Sequence, residues 1–437
     1  MKDDRGLGHG VVRERVILAG LVQPGDERTV EPPLTELRRL AETAGAEVAE
    51  EVLQKKGRIS GATFIGKGKA QEIGRLAAAL GAGAVLFNND LSPAQVRNLE
   101  KIIKLRVVDR SEVILDIFAL RARSREARVQ VELAQHEYLR SRLKRMWTHL
   151  ERMEGGTSGT MGAIGTRGPG EKQLEVDRRL VALKVRDLKA ELDLLERQQG
   201  TRSRGREGFF RISLVGYTNA GKSSLLRALT GAEAFVEDRL FATLDTQTRS
   251  WVLPGNRKVF LSDTVGFLRN LPHHLVASFR ATLAETLDAD LLLHVVDSAH
   301  PDAEIQKASV DRVLEEIGAA AIPRILVLNK ADAVRDRITM EVLRREERDS
   351  AVVSAVTGEG LADFANQVLR YVEKGHEDMN LRVDAGDGRT LAWLAAHGRV
   401  LGRDYRDNEV HIKVRLAPSE RDRLKMDAGG LVRVAGK

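Results

Sequence analysis

The sequence predicts an α/β protein of several domains, and three observations point there. Strand and helix signals alternate through residues 15–110, a long helical stretch with seven-residue apolar spacing follows, and an apolar strand near 209–216 runs into a glycine-framed loop and a helix. A chain of 437 residues has room for about three domains, each with its own core. With no cysteine, disulfides, thiolate metal sites and a cysteine nucleophile are excluded, which fits a reducing compartment. The opening "MKDDRGLGHG" has no apolar stretch for a signal peptide. The longest apolar runs, such as "DLLLHVVD", fall far short of the ~20 residues that span a bilayer. The expectation is a soluble, cytoplasmic monomer with no stable membrane association.

Residues 1–120 read as an N-terminal α/β domain with parallel strands. "RVILAGLV", "AVLFNND" and "LRVVDR" are its strand signals, and "LTELRRLAETAG" and "SPAQVRNLEKII" its helices. Ser92 before Pro93 marks a helix start: the hydroxyl caps free amides, and proline takes a first-turn position that needs no donor. From about Arg121 the period changes. Val129, Leu133, Leu139, Leu143, Met146 and Leu150 fall at helical spacings; Leu174, Val181, Leu188 and Leu195 repeat every seven residues, with Val185 and Leu192 between them. Two long helices in an antiparallel hairpin, residues 121–199, explain both stripes. A purely structural coiled coil satisfies the stripes equally well. It does not explain the connection, since helix pairs close with about 2–8 residues and Gly155 to Gly170 spans sixteen, seven of them glycine. "GTRSRGREG", residues 200–208, reads as a hinge.

Charge is unevenly placed. Lys and Arg number 70 against 63 Asp and Glu, yet residues 121–206 alone hold 20 basic and 12 acidic side chains, leaving the remainder close to neutral.

Residues 209–373 form a second α/β unit that carries chemistry. "FFRISLVGYTNAGKSS" is a buried strand feeding Gly216, Tyr217, Thr218, Asn219, Ala220, Gly221, Lys222 and Ser223, with Ser224 opening the helix. Such a loop turns its amides inward around phosphate oxygens; Lys222 reaches the outer phosphates and the Ser223 hydroxyl can bind Mg²⁺. "KVFLSDTVGF" ends a strand in Asp263, able to hold Mg²⁺ through water, and places Gly266 to offer an amide to the terminal phosphate. In "RILVLNKAD", Asp332 can accept from both the N1 and N2 donors of guanine, a pair adenine lacks, with Asn329 and Lys330 bracing the loop and covering the ring. Ser354, Ala355 and Val356 of "AVVSAVTGEG" supply a base-facing backbone loop. Four pieces in chain order at strand ends predict a P-loop GTPase domain of the Ras-like kind. Between them "RLFATLDTQTR" can close over the terminal phosphate, with Thr243, or else Thr246, completing the Mg²⁺ shell. Where many GTPases place a water-orienting glutamine, the residue is Phe267. Slow intrinsic turnover stimulated by a partner is expected. The alternatives are a timer, or a water held by another group of the chain.

Residues 374–437 read as a small α+β domain, from "RTLAWLAAHG", "EVHIKVRL" and "LVRVAG". No repeat of 20 to 50 residues occurs, and the ten histidines lack metal-ligand spacing.

With these residues in view, nearly the whole chain resembles the HflX family of translation-associated GTPases. "FIGKGKAQEI", "DRSEVILDIFALRA", "QVELAQHEYLRSRL" and "GTRGPGEKQLEVDRR" carry the resemblance outside the nucleotide motifs. Lys172 stands where the family pattern has threonine, and "ATLDTQTR" where it has "ATLDPTTR". The resemblance implies GTP and GDP as ligands and a factor that binds the large ribosomal subunit, its ribosomal RNA in particular. It also implies a glycine-rich loop reaching toward the peptidyl transferase region, separation of subunits under stress, activation by the ribosome, and a K⁺ ion bound with help from Asn219. The basic hairpin then makes sense as an RNA probe, with Gly165, Arg167, Gly168, Gly170, Lys172, Arg178 and Arg179 at or near its tip. Glycine lets backbone amides approach phosphates, and each cation releases counterions. The competing reading is an RNA-binding or remodelling protein, with ATP as a further ligand and GTP only regulatory; a membrane-linked signalling GTPase fits the basic hairpin poorly.

Overall fold

The computed structural model describes residues 14–22, 29–55, 59–154, 169–203, 209–231, 240–241, 247–269, 286–335, 337–406, 408–416, 424 and 432–434. The N-terminal domain runs β1 (Arg15–Leu21), α1 (Thr35–Thr43), β2 (Glu47–Gln54), α2 (Lys67–Leu80), β3 (Ala84–Phe87), α3 (Pro93–Ile103), β4 (Arg106–Val108) and α4 (Arg110–Arg121). Its strands pair in the order β2-β1-β3-β4, all parallel. Alternation along β1 sends Val16 and Leu18 toward α1 and α4, and Ile17 and Ala19 toward α2 and α3. Helix α3 starts as predicted: Ser92 accepts from the Gln95 amide, and the Gln95 side chain accepts from the Ser92 amide.

The hairpin is α5 (Arg125–Glu154) and α6 (Pro169–Ser203). Ion pairs of 2.8 Å join Arg125 to Glu191 and Glu132 to Lys184, so numbers rise on one helix as they fall on the other. The antiparallel seam is Val129 and Leu133 against Val185 and Leu188, with Val181, Leu192 and Leu195 packed beside them. Leu139, expected in this seam, is 44 % exposed. It lies six residues beyond Leu133, about 240° further round a helix of 3.6 residues per turn, on another flank. The side chains of Leu143, Met146, Leu150 and Leu174 lie outside the described residues. Proline at position 169 opens α6 inside the glycine tract. The helix then continues through Gly200 to Ser203, so the first residues of the expected hinge are helical.

The nucleotide-motif unit is β5 (Arg211–Gly216), α7 (Lys222–Thr230), β6 (Gln247–Leu253), β7 (Arg257–Asp263), β8 (Leu291–Asp297), α8 (Ala303–Glu316), β9 (Arg324–Asn329), α9 (Arg337–Glu346), β10 (Ser350–Val352) and α10 (Leu361–Val372). Six strands pair as β10-β9-β8-β5-β7-β6, parallel except for β6 at the edge. The near-continuous apolar runs of β5, β8 and β9 are buried on both faces, as parallel strands between helices must be. Their carboxyl ends gather at one edge of the sheet, where such folds bind ligands. The C-terminal unit has β11 (Glu377–Asp384), α11 (Gly388–His397), β12 (Arg399–Arg406), β13 (Glu409–Leu416) and β14 (Val432–Val434). They form an antiparallel sheet ordered β12-β13-β11-β14. No helix among the described residues is long and apolar enough to cross a membrane.

The first two sheets share a core. One apolar cluster runs from Leu37, Ile114 and Phe118 of the N-terminal domain into Leu240, Phe241, Phe267 and Leu268 of the nucleotide unit. At the junction the rings of Phe118 and Phe241 meet edge to face, 4.5 Å between centroids. Phe118→Ala is expected to cost about 3–5 kcal/mol of unfolding free energy in a urea titration and to lower the melting of both units together. Loss confined to the N-terminal domain would contradict the shared core.

Candidate functional site

The phosphate loop is built by close backbone approaches. Gly221, at φ 92°, caps α7, and a Cβ there would stand 2.3 Å from Asn329 Nδ2. Only glycine allows both the conformation and the contact. Asn329, 1 % exposed at the end of β9, donates through Nδ2 to the Ala220 carbonyl (3.0 Å) and accepts at Oδ1 from the Ala355 amide (3.1 Å). One carboxamide therefore ties the phosphate loop to the loop after β10. This bracing role was expected of Asn329.

Lys222 begins α7 and is buried, its ammonium donating to the carbonyls of Gly216 (3.1 Å) and Tyr217 (2.9 Å). Burial pulls its pKa down to about 8, while the Asp263 carboxylate opposes the shift. Ser223 Oγ donates to Asp263 Oδ2 at 2.6 Å. Asp263 ends β7 and is 1 % exposed. A buried carboxylate beside a hydroxyl is an all-oxygen donor set that suits a hard cation such as Mg²⁺. Ser224 lies half-buried in the first turn of α7.

Beyond β7 the chain lies directly on the phosphate loop. Thr218 N donates to Phe267 O (2.7 Å) and Phe267 N to Gly216 O (3.1 Å). A Cβ on Gly266 would come within 2.8 Å of Thr218 Cα and Cγ2 and 3.0 Å of Lys222 Nζ. The Phe267 ring, 3 % exposed, is committed to the shared core. Its phenyl group offers no hydrogen bond to water.

At the other end, Asp332 follows Lys330, which has φ 61° and reaches Asp297 at 2.7 Å. Ser354 Oγ donates to Asp332 Oδ1 (2.6 Å) and accepts from the amides of Val356 and Thr357 (3.3 and 3.1 Å). The Ala355 amide is taken by Asn329, and the Val356 side chain is exposed. All four motif pieces thus meet along one edge of the sheet.

Several expected residues are not placed. Thr243, Thr246, Gly165, Arg167 and Gly168 lie outside the described residues. Gly170 and Lys172 lie in the first turn of α6, and Arg178 and Arg179 are exposed further along it. Sequence reading also missed a charged junction between the N-terminal domain and the phosphate loop. The Tyr217 hydroxyl donates to Glu36 of α1 and accepts from the Arg269 amide (2.7 Å). Arg110, 5 % exposed, donates to Glu36 (2.7 Å), Asn88 (2.9 Å) and the Arg269 carbonyl (3.0 Å). Partners 22 to 181 residues apart leave no local pattern to read. The one available signal was an arginine beside the apolar run "SEVILDIFAL".

Families described as "GTP-binding GTPase N-terminal", "GTP-binding GTPase Middle Region" and "50S ribosome-binding GTPase" match residues 31–119, 121–206 and 211–330. The chain is 41 % identical to the GTPase HflX of Caldanaerobacter subterraneus subsp. tengcongensis, over 94 % of this chain and 93 % of that relative. It is 44 % identical to the GTPase HflX of Escherichia coli, over 82 % of this chain and 83 % of that one.

The lowered Lys222 pKa has a measurable effect. Phosphate binding favours the charged ammonium and raises its pKa above about 8, so binding takes up a proton at higher pH. GDP affinity, measured by fluorescence titration, is expected to hold steady from pH 7 to 7.5 and to fall as pH rises through about 8. Affinity that climbs over that range would contradict the assignment.

Proposed function

The chain belongs to the HflX family of GTPases, and on that premise we propose that it is a cytoplasmic, monomeric GTP-driven switch that binds the large ribosomal subunit and separates or rescues ribosomes under stress. The observation that carries the reading is the Asn329 carboxamide, which joins a phosphate-binding loop to a base-binding loop holding Asp332. That carboxylate, oriented by Ser354, is suited to the N1 and N2 donors of guanine rather than to adenine.

In this reading GTP lies along the sheet edge, with phosphates over the loop from Tyr217 to Ser224 and guanine between Lys330 and the loop from Ser354 to Val356. Lys222 leaves the carbonyls of its own loop for the β- and γ-phosphates, and the Gly266 amide meets the γ-phosphate. Ser223 and Asp263 would hold Mg²⁺, with Thr243 or Thr246 joining them when the γ-phosphate is present; the ion neutralises charge developing on the phosphate oxygens. Asn219 would help hold K⁺. Hydrolysis to GDP relaxes the threonine segment and permits release.

The Gly-rich segment 155–170 and the basic residues near it, Arg167, Lys172, Arg178 and Arg179 among them, would enter folded RNA, recognising phosphate and shape rather than base sequence. With phenylalanine at position 267, turnover is slow alone and is stimulated on the large subunit. The test is cosedimentation with purified large subunits. Binding is expected with a non-hydrolysable GTP analogue, weaker binding with GDP, and loss of both binding and GTPase stimulation on deletion of residues 155–170. Equal binding with both nucleotides, or stimulation by naked structured RNA alone, would overturn the proposal.

A further inference from the structure

Phe267 leaves the water that attacks GTP without its usual side-chain partner, and the phosphate loop itself contains an alternative. Thr218 is 5 % exposed, and its Oγ1 is shielded from solvent with no hydrogen-bond partner among the described residues. Buried hydroxyls in folded proteins are almost always paired, so one left over in a ligand site is a candidate for binding a ligand atom. The neighbouring hydroxyls are occupied: Ser223 Oγ donates to Asp263, and Thr264 Oγ1 to the Leu214 carbonyl at 2.6 Å.

Position supports the same assignment. The Thr218 methyl lies 2.8 Å from the point where a Cβ on Gly266 would lie, and the Lys222 ammonium 3.0 Å from the same point, which leaves the hydroxyl on the other branch of the same side chain beside them. Two groups expected at the γ-phosphate, an amide and an ammonium, therefore converge beside this threonine. Its own amide is fixed by the Phe267 carbonyl at 2.7 Å, which sets the loop's distance from the segment after β7. Thr218 also lines a polar cavity of about 110 Å³ shared with Glu36, Asn88, Arg110, Asn219 and Arg269.

We infer that the Thr218 hydroxyl positions the attacking water for GTP hydrolysis, in the place of the absent glutamine. The inference rests on the GTPase reading above. The hydroxyl accepts a hydrogen bond from the water, or donates one to it, holding the water oxygen in line with the bond to be broken. The water oxygen bonds to the γ-phosphorus as the bond from phosphorus to the β–γ bridging oxygen breaks. GDP leaves with that electron pair, and the water's proton passes to a γ-phosphate oxygen, giving inorganic phosphate.

The test compares the full-length wild-type chain with Thr218→Val, which keeps the shape and removes the hydroxyl, and Thr218→Ser, which keeps the hydroxyl. Single-turnover GTP hydrolysis and GDP affinity are measured for each, together with binding of GDP–aluminium fluoride, a transition-state mimic, and GDP–beryllium fluoride, a ground-state mimic. One hydrogen bond made in the transition state predicts hydrolysis about tenfold slower in the valine variant, with GDP affinity within about twofold. That variant should bind the aluminium complex about tenfold more weakly and the beryllium one about equally, and the serine variant should recover most of the rate. Wild-type hydrolysis by the valine variant overturns the inference, as does a loss of GDP affinity in step with the rate, or a serine variant as slow as the valine one. Thr218→Ala serves in the same comparison if the valine variant fails to fold. A wild-type chain that hydrolyses no GTP would overturn the GTPase reading itself and this inference with it.

Discussion

A loop that gathers several amide groups around one point sets their dipoles against one another, and its shape must be imposed by its surroundings. Here the surroundings are the carboxamide of Asn329. It holds the Ala220 carbonyl on one side and the Ala355 amide on the other, at 1 % exposure, where a hydrogen bond meets little competition from water. Glycine at 221 lets it approach that closely. The phosphate loop and the loop after β10 therefore share one strut at the ends of the parallel strands, and the distance between them is fixed by the fold.

The same loop has a second neighbour. Tyr217, inside the phosphate motif, bonds Glu36 of the N-terminal domain and the Arg269 amide beyond β7, and Arg110 closes the circuit. Removing the partly exposed Glu36 would leave the buried Arg110 charge desolvated and without its carboxylate. With the apolar cluster that includes Phe118, Phe241 and Phe267, this junction makes the N-terminal domain one wall of the nucleotide unit.

The legible part of this architecture was local. The phosphate motif, the aspartate at the end of β7, the NKAD segment and the Ser92 cap each depend on residues within about ten positions of one another, and the fold places them at strand ends and a helix start. Parallel strands in the first domain followed from alternation with helices. Less was legible where long range decides. Strand β2, "EVAEEVLQ", has charges at three of its eight positions because it is an edge strand with little buried surface. Leu139 fits a helical count but not the seam, since the partner helix covers only one flank of α5. Glu36 carries no motif, and the family-like stretch that includes Arg110 does not name its partners; their pairing exists only once two domains are docked.

The central claim is that Asn329 holds the nucleotide pocket in its binding shape, and its most direct measurement is the GDP dissociation constant of Asn329→Ala. Two lost hydrogen bonds of about 1–1.5 kcal/mol each predict affinity weakened by roughly two orders of magnitude, with circular dichroism showing the unit still folded. Affinity within about twofold of the wild-type chain would mean that the loop keeps its shape without the strut, and the account would be wrong.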